Sequence, residues 1–496
     1  RMLYTFNLMV GLEPNGVDVA QAYRGKFFRY LGLPASFVFT QVPPRYKWDY
    51  YLSLGHLEEE ILLAHMLLTD QRDMSLGIRI DDMKQLLHLT AEYKENNSEL
   101  IFQEQDGIIT ILHKNSLKPD YVDYVDYYAF GRLLLREHYG KKKLFTEFFT
   151  AVDAGFGIVA RVVRRLFHNR DGSIAFEEIK KEPGENTEAV YRCGVEWFYS
   201  ESEFLERALS ELQFSREDHI FLDRIENLPF TSPLLRLKGE AKVSCVVHSI
   251  HYWGDQMNSE YYHLFQYAEE FDSILVSTQA QKDELEKHLE LLGKTGRVRV
   301  LPVAALEQLQ LADERKPYSV MIAARFVRRK RLDLAIKAIV AFHEICPDVN
   351  LDIYGQGMLW QDIEAEIANL GAQDYIHLKG HQTITNRFKE YELYLATSEW
   401  ETFGITLLEA IGSGQALVGL DVPYGNQTFI QESKNGYLVP FDARSDEEIV
   451  VDLTKALEKS FKQIKQLREG SYRLAEEYLS DCINKLWYEF LTREWE

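Results

Sequence analysis

The sequence predicts an α/β protein: two doubly wound units, with a β-rich segment inserted into the N-terminal half. Three observations carry that reading. Apolar strands alternate with helical patterns at the start of the chain. The same alternation returns and runs on from about Ser319. Between the two, residues 42–214 carry short period-two runs separated by turn signals.

Residues 3–10 read as a buried strand, and Gly11, Pro14, Asn15 and Gly16 as a loop. Residues 17–31 form a helix stopped by Gly32, and residues 35–40 a second strand. The apolar stretch from Met2 stops at Gly11 without a small-residue cleavage pattern, so it reads as a strand and not as a signal peptide. Open α/β sheets take ligands outside the carboxyl ends of their strands, which places the Asn15-Gly16 turn where a ligand would sit.

Beyond residue 42 tyrosines and charges dominate. Residues 57–68 read as a helix. Strands are expected at 99–104, 108–113, 159–166, 174–178 and 190–198, with turns at Gln105-Asp106-Gly107 and Asn169-Arg170-Asp171-Gly172. Parallel character resumes with strands at 220–223, 242–247, 273–276 and 298–301 and helices at 259–270 and 282–292. The strand 242–247 delivers His248 at its carboxyl end, followed by His251, Tyr252 and Trp253. In the second unit, strands are expected at 318–323, 351–354, 376–378, 393–396 and 416–420. Helices are expected at 333–345, 361–370, 385–390 and 406–411, before a mostly helical tail from 447 to 490. The domain reading is 1–41 with 215–302, an insertion at 42–214 for acceptor binding or assembly, a nucleotide domain at 303–478, and a closing helix at 479–496.

At 496 residues, several domains are expected, and 46% hydrophobic with 27% charged residues is the balance of a folded soluble chain. The formal net charge of -21 argues against nucleic acid as a partner, so an anionic ligand needs a local basic cluster. Four scattered cysteines show no metal spacing and read as reduced thiols. No run approaches the ~20 apolar residues of a membrane span, which leaves at most peripheral membrane contact.

The chemistry concentrates in Ser398-Glu399-Trp400-Glu401-Thr402-Phe403-Gly404-Ile405-Thr406-Leu407-Leu408-Glu409-Ala410. A strand feeds a helix through a glycine loop, which frees backbone N–H groups at Phe403, Gly404 and Ile405 to hold a phosphate. Glu401 precedes the helix and Glu409 lies about two turns on. Alone, this is hard to tell from an ordinary strand–helix unit. Upstream, Ala324-Arg325-Phe326-Val327-Arg328-Arg329-Lys330-Arg331 puts five bases into seven residues of an acidic chain. Arg325 and Lys330 offer the positive charge a phosphate requires.

Together these segments resemble the Gly-Arg-Leu-x-x-x-Lys-Gly and Ser-x-x-Glu-Gly-Phe-Gly-x-x-x-x-Glu-Ala patterns of retaining GT-B glycosyltransferases of the GT4 type. A closer resemblance is carried by Gly16-Val17-Asp18-Val19-Ala20-Gln21-Ala22-Tyr23-Arg24, Leu351-Asp352-Ile353-Tyr354-Gly355, Tyr375-Ile376-His377-Leu378-Lys379-Gly380-His381 and Asp421-Val422-Pro423-Tyr424-Gly425-Asn426-Gln427. These are similar to the catalytic A subunit (GtfA type) of the accessory-Sec glycosyltransferases, which start O-glycosylation of serine-rich repeat adhesins. That family has two Rossmann-like domains facing a cleft and a β-rich insertion after the second strand.

The resemblance implies a UDP-sugar donor, most often UDP-N-acetylglucosamine, and a Ser/Thr-rich acceptor protein in the cytoplasm. A B-type partner subunit or a homo-oligomer is implied, with no metal or other cofactor. It assigns Arg325 and Lys330 to the leaving diphosphate, Glu401 to the sugar hydroxyls, Glu409 to the ribose and His248 to the sugar. Gly16, Val17, Asp18 and Val19 would approach the diphosphate. His381 and Gln382 would lie by the nucleotide, and Thr402, Phe403, Gly404, Ile405, Thr406 and Leu407 would line the donor. UDP-glucose as donor, a teichoic acid as acceptor and a non-catalytic B-type subunit are the alternatives. The chain departs from the pattern at Thr402, Arg331 and Ala304, each where glycine is usual. These departures bear on the donor sugar more than on the charged groups.

Overall fold

The computed structural model describes residues 1–9, 16–42, 48–72, 75, 77–103, 107–185, 187–225, 228–312 and 314–495. The expected loop at 10–15, with Asn15, lies outside the described residues, as do Gln105 and Asp106 of one expected turn. The chain divides into two compact units, Arg1–Cys245 and Val246–Glu496. Among the described residues, no helix is long and apolar enough to cross a membrane.

The first unit contains a parallel sheet whose strands stand in the order Lys242–Val246, His219–Leu222, Leu3–Asn7, Ala35–Phe39, Ile61–Leu63. Strand succession reverses beside Leu3–Asn7, the mark of a doubly wound sheet. The helix Gly16–Tyr30 follows that strand. Its Arg24 reaches Asp223, just past His219–Leu222, in a buried bidentate pair of 2.5 and 3.0 Å. Both charges lie out of water, so each depends on the other.

The helix expected at 57–68 is not formed. Two 3-10 turns, Glu58–Glu60 and Ala64–Leu68, flank the strand Ile61–Leu63, which pairs with Phe37, Val38 and Phe39. A short apolar run such as Ile61-Leu62-Leu63 fits a buried strand or a buried helix equally, and the open edge of the sheet decides.

A second sheet in this unit is antiparallel, with ten strands in strict chain order from Tyr93–Glu95 to Glu196–Phe198. Three of its strands, Val122–Ala129, Arg132–Tyr139 and Lys143–Asp153, carry no alternation signal. Their inward positions hold charges in pairs: Arg136 with Asp126 at 2.6 Å, His138 with Glu147 at 2.9 Å, and Arg165 with Glu147 at 2.8 Å. A paired charge can face inward and erase the apolar period. The run at 190–198 resolves into Ala189–Cys193 and Glu196–Phe198, folded back at Gly194.

In the second unit, six parallel strands stand in the order Ile376–Gly380, Asn350–Tyr354, Ser319–Ala323, Leu393–Ala396, Ala416–Asp421, Gly436–Pro440. In chain order this is 3-2-1-4-5-6, with the switch between Ser319–Ala323 and Leu393–Ala396. The helix Leu332–His343 buries Leu332, Ala335, Ile336, Ile339 and Phe342 against the sheet. The strand Gly436–Pro440 is an addition to the expected set. The helix expected at 385–390 is only the 3-10 turn Phe388–Glu390, and 259–270 breaks into Ser259–Tyr261, Tyr262–Gln266 and Ala268–Glu270. The tail forms Asp446–Lys462, Ile464–Glu476 and Ser480–Trp495.

Candidate functional site

The switch point places two loops side by side, one after Ser319–Ala323 and one after Leu393–Ala396. The first is the basic segment and the second carries Glu401. One backbone bond and one side-chain bond lock them together: Glu399 N donates to Arg329 O at 2.9 Å, and Thr397 Oγ1 donates to Lys330 O at 3.0 Å. The Lys330 ammonium then donates to Glu401 Oε2 at 2.7 Å, with the two side chains 14% and 25% exposed. Partial burial strengthens this pair while leaving it within reach of a ligand.

The Glu401 backbone is fixed from a third direction. Its N–H donates to Pro423 O at 2.9 Å, and its carbonyl accepts from Tyr424 N at 2.8 Å and Gly425 N at 2.5 Å. A Cβ on residue 425 would stand 2.2 Å from Phe403 O, so only glycine allows this approach. Gly404 adopts φ +85° and precedes the helix Ile405–Gly412. A Cβ there would meet Leu407 Cδ1 at 2.7 Å and Glu401 Cγ at 3.0 Å. The left-handed turn frees the first amides of the helix, where its dipole favours an anion.

Glu409 projects from the second turn of that helix. Burial pushes its carboxyl up to about 7. Arg325 is exposed. Burial, and then the Arg325 charge beside it, lowers the Arg329 guanidinium. Arg329 lies over the Trp400 ring at 5.2 Å, and Trp400 meets Trp253 edge-to-face at 4.4 Å. Trp253 is carried by the two-stranded hairpin of Tyr252–Trp253 and Gln256–Met257. The site therefore has a cationic floor, an amide-lined helix start and an indole wall next to Glu401.

The other expected residues divide. Thr402 is half-buried beside Glu401, while Phe403 is buried on Phe429 at 5.2 Å, so only its main chain is offered to a ligand. Thr406 Oγ1 hydrogen-bonds the Tyr394 hydroxyl at 3.0 Å, and Ile405 and Thr406 remain half-buried. His381 and Gln382 are exposed after the outermost strand, with Gln382 Nε2 donating to Lys379 O at 2.7 Å. His248 is half-buried just beyond Lys242–Val246. Gly16, Val17, Asp18 and Val19 belong to the first unit, where Gly16 is exposed and Asp18 is fully buried.

Two residues that sequence reasoning passes over are central. Tyr394 donates to Ala323 O at 3.1 Å and hydrogen-bonds the Thr406 hydroxyl, tying the end of the first strand to the helix start. A phenol inside Leu393-Tyr394-Leu395 is the available signal, because a buried hydroxyl needs a partner. Tyr424 stacks at 6.1 Å on His251, which contacts His288 at 3.1 Å. Burial, with His288 adding to it, drops the His251 imidazole to about 3, so it is neutral and serves the packing under Glu401.

Comparison with known proteins follows the same outline. Residues 306–474 match the group 1 glycosyl transferases, and residues 90–193 match the GtfA extended beta-sheet domain. The chain is 33% identical to the UDP-N-acetylglucosamine–peptide N-acetylglucosaminyltransferase GtfA subunit of Streptococcus agalactiae, over 99% of this chain and 98% of that protein. It superposes on the crystal structure of the pneumococcal O-GlcNAc transferase GtfA in complex with UDP and GlcNAc with a TM-score of 0.88, 28% identity and 99% coverage of both chains. The crystal structure of a GtfA/B complex gives 0.89, 30% identity and complete coverage of both chains. The GT-B class expected from the sequence is the observed one, and the chain belongs to the GtfA-subunit family of glycosyltransferases.

Proposed function

We propose that this protein moves N-acetylglucosamine from UDP-N-acetylglucosamine to Ser or Thr hydroxyls of a peptide acceptor, with retention at the anomeric carbon. The observation that carries the reading is the Lys330–Glu401 pair, set between a basic loop and a helix start at the sheet's switch point. The bond from the anomeric carbon to the diphosphate breaks, and negative charge grows on the leaving oxygen. Lys330, Arg325 and the amides at Phe403, Gly404 and Ile405 stabilise that charge in this reading. Glu401 holds the sugar hydroxyls beside the reacting carbon. The acceptor hydroxyl attacks from the face the diphosphate leaves, and its proton passes to the departing phosphate oxygen. Products are UDP and the O-linked sugar. Glu409 receives the ribose hydroxyls, and His248 faces the sugar.

The likeness to the GtfA/B complex supports a second glycosyltransferase subunit as partner, and a serine-rich repeat protein as acceptor follows from the family resemblance. Fixed cations supply the leaving-group charge, so activity is expected to survive EDTA. The direct test is donor profiling. UDP release is followed with UDP-GlcNAc, UDP-Glc and UDP-GalNAc, with and without a Ser/Thr-rich peptide. Fastest release with UDP-GlcNAc plus peptide is expected; preference for UDP-Glc would overturn the donor assignment.

A further inference from the structure

The first unit holds an open cavity of about 430 Å³ where the antiparallel sheet meets the helix Glu201–Leu209. Its wall is strongly polar, yet its cations are already paired. Arg165 donates to Glu147 at 2.8 Å, to Glu178 at 2.9 Å and to Glu185. Lys180 pairs with Glu178 at 2.8 Å and Lys181 with Glu188 at 2.7 Å. An anion entering here would have to break one of these pairs, and a cation would meet the three bases.

What remains unmatched is hydrogen-bonding capacity. Glu201, in the first helical turn, lines the cavity, and burial, reinforced by the Glu178 charge, pushes its carboxyl up to about 7. His65 also lines it, is 3% exposed, and its Nδ1 has no hydrogen-bond partner. Burial holds its imidazole down to about 4, so it is neutral. A buried polar atom without a partner is costly, which favours a ligand that brings donors and acceptors but no charge. Two ring systems complete the wall. Tyr191 is buried, with its hydroxyl 3.5 Å from Glu178, and Tyr199 stands 66% exposed at the mouth.

We propose that this cavity is a saccharide site separate from the donor site, taking a neutral pyranose. Tyr199 offers a ring face to the sugar's C–H surface, while Glu201 and His65 meet its hydroxyls. The sugar comes either free or already attached to an acceptor; the second source rests on the peptide-transfer reading above.

The test titrates the full chain, saturated with UDP, with free N-acetylglucosamine and separately with a peptide bearing Ser-linked N-acetylglucosamine. The Tyr199→Ala variant, altered at an exposed position, is measured alongside Glu201→Ala. Two sugar equivalents are expected for the unaltered protein. The variants are expected to lose one equivalent, or to weaken it at least tenfold, and Tyr199→Ala is expected to transfer to unmodified peptide within twofold of the parent. Response to the free sugar, or to the glycopeptide alone, identifies the source. Unchanged stoichiometry and affinity in Tyr199→Ala would overturn the site. Binding is read directly, so the outcome does not depend on which nucleotide sugar proves to be the donor.

Discussion

Lys330 Nζ and Glu401 Oε2 stand 2.7 Å apart, although the residues are 71 positions apart in the chain. Each belongs to a loop that leaves one of the two strands flanking the sheet's switch point. The pair gives the site a positive and a negative group whose positions are set together. Lys330→Ala and Glu401→Gln are each expected to lower kcat by roughly 10²–10³-fold, the range for removing one preorganised electrostatic contact. A partly exposed pair contributes about 0–1 kcal/mol to folding. Thermal melting should therefore move little, and turnover near the parent rate in either variant would refute the assigned roles.

Gly404 is the position where backbone and chemistry coincide. An alanine there takes on a left-handed cost of about 1–2 kcal/mol and crowds both Leu407 and Glu401. Gly404→Ala should lower the melting temperature and also reduce kcat, because the Glu401 side chain must shift. A variant that loses stability but keeps its full rate would separate the turn from the reaction.

Glu409 predicts a pH dependence. An acid whose folded pKa lies above its unfolded one binds its proton more tightly when folded. Stability contributed by this group is therefore greatest below about 4.5 and is lost as pH rises through about 7, by on the order of 3 kcal/mol. Denaturant melts of the ligand-free protein at pH 5.5 and pH 8 should show about 2 kcal/mol of this loss, the remainder falling between about 4.5 and 5.5, and Glu409→Gln should flatten it. UDP binding near pH 7 should release protons, since ribose hydroxyls favour the carboxylate. Calorimetry in buffers of different ionisation enthalpy would detect the release, and the Gln variant should lack it.

Arg331 sits at the last position of the Gly-Arg-Leu-x-x-x-Lys-Gly pattern that this segment resembles. Its φ is +44°, and it bonds Asp333 at 2.9 Å and Asp446 at 2.6 Å. Arg331→Gly removes a left-handed cost of about 1–2 kcal/mol and sacrifices exposed ion pairs of about 0–1 kcal/mol each. The variant should melt no lower than the parent and respond less to salt. A fall of several degrees at low salt, absent at high salt, would show that the ion pairs dominate.

The parts of the site that are legible in the sequence are those whose chemistry is local. Strand, loop and helix follow one another from Leu393 to Gly412, and the bases cluster from Arg325 to Arg331. The parts that are not legible depend on partners far along the chain. Tyr424 meets His251 across 173 residues, and nothing near either position signals the other. Trp253 and Trp400 are likewise silent until they meet. The strands between Val122 and Asp153 escape because Asp126, His138 and Glu147 face inward with partners, and Ile61–Leu63 because a three-residue apolar run has no readable period.

The three hydrogen bonds between Glu401 and residues Pro423, Tyr424 and Gly425 run from main chain to main chain. Such a splint is blind to what side chain residue 401 carries. The carboxylate can be shortened, neutralised or inverted in charge while its Cα stays where the loop pins it. A loss of rate on changing residue 401 therefore reads the side chain alone, with the 423–425 turn acting as the fixed jig against which each replacement is measured.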